Sequence, residues 1–176
     1  PEITEALRVI SSEGYRFVLL NGHSTGGLIA ARYLQDGPSR GVVNAAFLNS
    51  PFLAFNDRDL SPFGLAIAKL AGAVAPHAAM KTTVPDWYVR SLLRPSLCAD
   101  CHGRWDFKLD WKPIEGFPVS LGWIRAVAQA QDRARQGGIS TPILLLHSKR
   151  SNRGGGSAWM EEFRRADLVL NVDDME

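Results

Sequence analysis

The sequence predicts an α/β protein: a parallel sheet with helices packed on both of its faces. Three observations predict it. Short, fully apolar runs bounded by turn residues read as buried strands, amphipathic stretches at helical spacing lie between them, and the two alternate towards both ends of the chain. With 176 residues, 45% hydrophobic and 22% charged, the chain has the size and composition of one soluble globular domain or a large piece of one. Five Trp and eight Phe supply bulk for a sizeable core.

Ile3, Ala6, Leu7 and Ile10 share one face of a helix over 3–12, which Gly14 ends. The run Phe17-Val18-Leu19-Leu20 is short and flanked by turn residues, which favours a buried strand. Asn21-Gly22-His23-Ser24-Thr25-Gly26-Gly27 follows, then a helix from Leu28 through Leu34 that ends near Asp36-Gly37. Residues 41–48 form a second apolar strand, halted at Asn49-Ser50-Pro51. From 52 to 118 the pattern changes to helical pieces, 62–74 and 85–93, alternating with Pro- and Trp-rich loops and no evident buried strand. Residues 119–136 are amphipathic at helical spacing and stop at Gly137-Gly138. A third strand over 142–147, a polar Gly-rich loop over 148–157, a short helix and the run Asp167–Val172 complete the chain. The expected organisation is a sheet core from 1–51 and 119–176, with 52–118 inserted over one edge as a helical cap.

Charge and composition exclude several classes of function. Twenty Lys and Arg against 18 Asp and Glu leave +2, too near balance to argue for a nucleic-acid surface. No apolar run approaches the ~20 residues a membrane-spanning helix needs, and Glu2 and Glu5 stand where an export signal would be basic. Two cysteines cannot staple a chain of this length, which points to a reducing compartment and a cytoplasmic location. Disorder, collagen and coiled coil are excluded on composition. The chain starts at Pro1 directly into a helical pattern and stops at Glu176 just after an apolar stretch, which fits a segment of a longer product better than a complete protein.

Gly22-His23-Ser24-Thr25-Gly26 matches G-x-S-x-G between a strand and a helix. In that setting the turn is so tight that Gly22 and Gly26 must lack bulk, Gly27 extends the small surface, and the Ser24 hydroxyl stands exposed at the positive end of the helix. The backbone N–H of Thr25 is then aimed at the oxygen of a tetrahedral intermediate. An ordinary Gly-rich connection or a phosphate-cradling loop is the alternative, but G-x-G-x-x-G and G-x-x-x-x-G-K-[ST] are both absent here.

The stretch Leu19-Leu20-Asn21-Gly22-His23-Ser24-Thr25-Gly26-Gly27-Leu28 resembles the nucleophile elbow of α/β-hydrolases, specifically bacterial members similar to the serine aminopeptidase and monoglyceride-lipase-like group. The likeness continues at Asn49-Ser50-Pro51-Phe52, Gly103-Arg104-Trp105-Asp106-Phe107, Trp111-Lys112-Pro113, Phe117-Pro118-Val119, Pro142–Ser148 and Ala166-Asp167-Leu168-Val169-Leu170. It implies a partial α/β-hydrolase fold and a serine hydrolase of esters or small acyl substrates, working without metal or organic cofactor. Its catalytic parts come in the order Ser, acid, His.

In such a hydrolase Ser24 is the nucleophile. The usual place of the acid, soon after the third strand, holds Lys149, Arg150 and Ser151, none of which can serve. The family-like Asp-x-Val-x pattern recurs at Asp167, which is therefore assigned as the acid, with Asp173 and Asp174 in reserve. No histidine follows His147; His23, His77, His102 and His147 all fall where the family's base does not. The resemblance also lacks the upstream HG-type oxyanion loop and shows about three of the family's usual eight strands. A sheet so shortened exposes its edges, so poor solubility or pairing with another chain is expected.

Cys98-Ala99-Asp100-Cys101-His102 spells C-x-x-C-H, the c-type haem attachment sequence. The lack of a visible export signal and its position within the cap count against haem. A Cys98–Cys101 disulfide or two free thiols are the plainer readings. The aromatics Trp87, Tyr88, Trp105, Phe107 and Trp111 suit either a roof over the serine or packing within the cap. The nearly apolar helix 62–74 reads either as packed against the rest of the cap or as a lipid-facing lid. Lys149, Arg150 and Arg153 read as a solvated basic loop.

Overall fold

A computed structural model describes residues 2–55, 61–80, 86–113, 116–152 and 160–175. Residues 153–157 of the Gly-rich loop, Arg153 among them, and the side chain of Trp87 lie outside the described residues. In chain order the elements are α1 (Glu2–Ser12), β1 (Leu19–His23), α2 (Thr25–Asp36), β2 (Ala45–Asn49), α3 (Pro62–Val74), β3 (Ala79–Met80), α4 (Asp86–Leu92), β4 (Val119–Ser120), α5 (Leu121–Ala134) and β5 (Ile143–Leu146), with 3-10 turns at Arg40–Val42, Glu161–Arg164 and Val172–Met175. The chain folds into two compact units: Pro1–Asn56, Val127–Ser151 and Val169–Glu176 form the first, Asp57–Ala126 and Asn152–Leu168 the second.

The first unit is the α/β core. Its sheet is parallel, in the order β1-β2-β5, with Leu19 opposite Ala45 through His23 opposite Asn49, and Ala46 opposite Ile143 through Asn49 opposite Leu146. Helix α2 buries Gly27, Leu28, Ala30, Ala31 and Leu34, the small residues letting it lie close to the sheet. One apolar cluster joins Leu28, Phe52, Val127, Leu170, Val172 and Met175, and another joins Leu7, Val18, Leu34, Val43 and Ala46. Gln35 fastens the end of α5, its Nε2 sharing two N–H groups among the carbonyl oxygens of Arg133, Ala134 and Gly137 at 3.0, 3.2 and 2.7 Å.

Several boundaries differ from the sequence expectation. The first strand is shifted from 17–20 to 19–23, because Asn21, Gly22 and His23 continue the pairing with Phe47, Leu48 and Asn49, while Phe17 is exposed. Backbone pairing, which polar residues make as well as apolar ones, decides that boundary. The second strand starts at Ala45 instead of 41: residues 40–42 take a 3-10 turn, and Asn44 accepts the Val18 N–H through Oδ1 at 2.8 Å. The run Asp167–Val172, to which the sequence assigns no element, bridges within the first unit at Leu170, to Phe55, and the chain then turns at Val172–Met175. Ser151 replaces the ladder there, donating from Oγ to the Leu170 carbonyl and accepting the Val172 N–H, both at 2.8 Å. The third strand is apolar but only half covered: Leu144 is 61% exposed, while Leu145 packs against the clusters around Leu28 and Leu48.

In the second unit α3 begins as its residues predict, with Ser61 Oγ accepting the Gly64 N–H at 3.2 Å and Pro62 in the first turn. The helix expected from 119 starts at Leu121, because Val119 and Ser120 pair antiparallel with Met80 and Ala79. Val89, Leu93 and Cys101 form one small core, and Phe163 and Leu168 another, with Tyr88 packed against both. Trp105 and Trp111 are exposed, so packing within this unit does not account for them, whereas Tyr88 and Phe107 do pack. Cys98 and Cys101 form a disulfide, which consumes the two thiols a C-x-x-C-H haem site would need. No helix among the described residues is long and apolar enough to cross a membrane.

Candidate active site

Ser24 stands between the last residue of β1 and the first of α2, at φ 53°, ψ −122°. That region is one L-residues other than glycine rarely occupy and is costly to hold. Its neighbours hold it there. The Ser24 N–H donates to Asn49 O at 3.2 Å, while its carbonyl accepts from Gly27, Leu28 and Phe52 at 2.9, 3.2 and 2.9 Å. The turn closes because a Cβ on Gly22 would sit 2.8 Å from Gly26 O and Gly27 Cα, and one on Gly27 2.7 Å from Pro51 Cβ. Gly26, expected to be equally constrained, has open space where a Cβ would stand, so bulk is forbidden at 22 and 27 instead of 22 and 26.

Ser24 is half-buried, and its side chain does not cap α2. Among the described residues no hydrogen bond holds Oγ, which leaves it available to react. Thr25 is the first residue of α2, and the N–H of a first helical residue has no partner inside its helix. An N–H so placed adds to the positive end of the helix, beside Oγ.

The other site residues sit as follows. Asp167 is half-buried in the second unit, and its carbonyl accepts the Asn152 N–H at 2.7 Å. Its carboxylate acts on Tyr88, whose hydroxyl is pushed above its ordinary pKa of 10.0 by burial first and by the negative charge of Asp167 second. Asp173 and Asp174 lie in the first unit; Asp174 Oδ2 accepts from Asn171 Nδ2 at 2.7 Å. His23 is exposed with Nδ1 2.9 Å from Asn49 O, and His147 Nδ1 is 2.8 Å from Ser148 O. The backbone of His102 donates to Arg90 O at 2.9 Å, and His77 is exposed. Among the described residues no histidine hydrogen-bonds to Ser24 Oγ, and no group of three or more His, Cys, Asp and Glu side chains stands together as a metal site.

One supporting residue escaped the sequence reading. Gln131, 2% exposed, donates from Nε2 to Phe52 O at 3.0 Å, and the Phe52 N–H in turn holds the Ser24 carbonyl. A glutamine on the apolar face of an amphipathic stretch was the signal, because a buried amide demands a partner.

A strand, a strained serine and a glycine-tight helix start thus follow one another at Gly22–Gly27. The model of the serine aminopeptidase S33 family matches residues 3–153. The chain belongs to that family. Among solved structures, this S33 chain is similar to a soluble variant of monoglyceride lipase from Saccharomyces cerevisiae in complex with a substrate analog, at TM-score 0.58 and 16% identity, covering 82% of this chain and 47% of that one. It is also similar to the monoacylglycerol lipase of Paleococcus ferrophilus, at TM-score 0.54 and 25% identity, covering 81% of this chain and 52% of that one. No curated protein matches the chain. The fold is thus a partial α/β-hydrolase fold, and the S33 chain spans about half the length of these two structures.

Proposed function

We propose that this chain carries the nucleophile half of a serine hydrolase acting on carboxylic esters. Ser24 Oγ attacks the ester carbonyl carbon and passes its proton to a histidine. The Thr25 N–H stabilises the oxyanion, the alcohol leaves with that proton, and water then releases the acid from the acyl-serine. Asp167 orients the histidine, which lies outside these 176 residues, and residues 52–118 act as the cap. The observation that carries the reading is Ser24 itself: a non-glycine residue in a costly conformation, its Oγ without a hydrogen bond among the described residues, beside the N-terminal turn of α2. The two lipase structures favour monoesters of glycerol as the substrate class. Without the base the serine keeps its proton, so the 176 residues alone turn over esters weakly or not at all. A fluorophosphonate probe on the protein with its neighbouring sequence tests this: labelling lost in Ser24→Ala supports it, and unchanged labelling in that variant overturns it.

A second reading, a non-catalytic hydrolase remnant that binds acyl compounds, is favoured by the lack of any histidine on Ser24 Oγ among the described residues. It predicts no label on Ser24 even when the flanking sequence is present.

A further inference from the structure

The Cys98–Cys101 disulfide closes a ring only three residues apart, with Cα atoms 5.3 Å from each other. A ring that small removes few conformations from the unfolded chain, so it contributes little to holding the fold. The segment that follows is held without it. The N–H groups of His102, Gly103 and Trp105 donate to the carbonyls of Arg90, Leu93 and Leu92 at 2.9, 2.7 and 2.9 Å, and the Arg94 N–H donates to Trp105 O at 3.0 Å. Gly103 lies so close to Leu92 O that no side chain fits there. None of these bonds uses a group of Cys98 or Cys101.

The two sulfurs are unequal. Cys101 is 2% exposed and packs on Val89 and Leu93, whereas Cys98 is partly exposed, with Leu97, Ala99 and Asp100 open to solvent around it. The Arg90 guanidinium, which also lies 3.8 Å from Asp100, has Nη1 3.9 Å from Cys98 Sγ. A positive charge at that distance stabilises a thiolate.

The geometry points to a reversible dithiol–disulfide couple at Cys98 and Cys101, reduced by an external dithiol that attacks Cys98. The incoming thiolate bonds to Cys98 Sγ, the bond to Cys101 breaks, and Cys101 leaves as a thiolate and takes a proton. The donor's second thiolate then attacks its own sulfur in the mixed disulfide and releases Cys98 as a thiolate beside Arg90. The donor ends as a disulfide, having supplied two electrons, with one of its protons on Cys101 and the other released to solvent. This chemistry is independent of Ser24.

Treating the full 176-residue chain with dithiothreitol, then trapping thiols with iodoacetamide and weighing the product, tests the couple. Both cysteines are expected to alkylate without denaturant, the far-ultraviolet circular dichroism to persist, and oxidised dithiothreitol to restore the disulfide. With oxidised glutathione, Cys98 in Cys101→Ser should react about tenfold faster than Cys101 in Cys98→Ser, and adding Arg90→Gln should slow the Cys98 reaction about threefold. If either variant fails to fold, limiting iodoacetamide on the reduced wild-type chain asks the same question, and Cys98 should be labelled first. A disulfide that survives excess dithiothreitol, loss of helical signal on reduction, equal rates at the two cysteines, or a Cys98 rate indifferent to Arg90 would each overturn the proposal.

Discussion

Pro51 is seated against Gly27 so closely that a Cβ on residue 27 would lie 2.7 Å from Pro51 Cβ and 2.8 Å from Pro51 Cα. The loop leaving β2 thereby presses on the first turn of α2, and Phe52, the next residue, bonds the Ser24 carbonyl. Gly27→Ala must move that loop or the helix, at about 1–3 kcal/mol of stability by the usual cost of overpacking. Gly26→Ala meets open space inside a helix, where alanine is favoured over glycine by up to about 1 kcal/mol. Urea unfolding of the two variants should therefore move in opposite directions; equal shifts would show that the Pro51 contact does not constrain the turn.

Ser24→Gly is expected to stabilise the chain. Glycine adopts φ 53°, ψ −122° without the steric cost a Cβ brings, and strain of this kind costs about 1–3 kcal/mol. Glycine's greater freedom in the unfolded chain offsets part of that, leaving a gain of about 1 kcal/mol. The same variant loses any fluorophosphonate label. Thermal unfolding checks it, and a Ser24→Gly melt below that of the wild type would mean that the serine is not strained.

The tight turn at Ser24 was legible in the sequence because its constraints are local: Gly22, Ser24 and Gly27 act within one turn, and the flanking pattern gives strand and helix. Strand limits were less legible. Apolarity marks what should be buried, yet β1 extends through Asn21, Gly22 and His23 on backbone pairing alone, and β5 is apolar while Leu144 and Leu146 face outwards. Gly26 looked equivalent to Gly22 as a letter in a motif, and only the surrounding atoms separate them. Support from Gln131 depends on a contact 79 residues away, which no spacing rule reaches. The disulfide was one of three readings of C-x-x-C-H, and sequence spacing cannot choose among them.

Gln131→Leu should destabilise the first unit by about 1–3 kcal/mol, because Phe52 O would stay buried without its donor. The loss should exceed that of Gln136→Leu, a residue exposed just past α5. Denaturant midpoints of the two variants decide this. If Gln131→Leu matched Gln136→Leu, the buried amide would not be holding the loop beside Ser24.

Tyr88 sets a pH limit on the second unit. Burial, and then the charge of Asp167, raise its hydroxyl pKa above the ordinary 10.0, so the folded chain holds this proton more tightly than the unfolded one. Stability from that difference is fully present below pH 10 and is lost as pH rises from there through the higher folded value, because the unfolded state ionises first. Tyr88→Phe removes the proton and with it this part of the pH dependence. Thermal melts of wild type and Tyr88→Phe compared at pH 8 and again above pH 10 should diverge only at the alkaline end, with the wild type losing more. Asp167→Asn, which removes the lesser of the two causes, should narrow the alkaline loss without abolishing it. Parallel decline of wild type and Tyr88→Phe above pH 10 would show that the phenol is not held in a disfavoured environment.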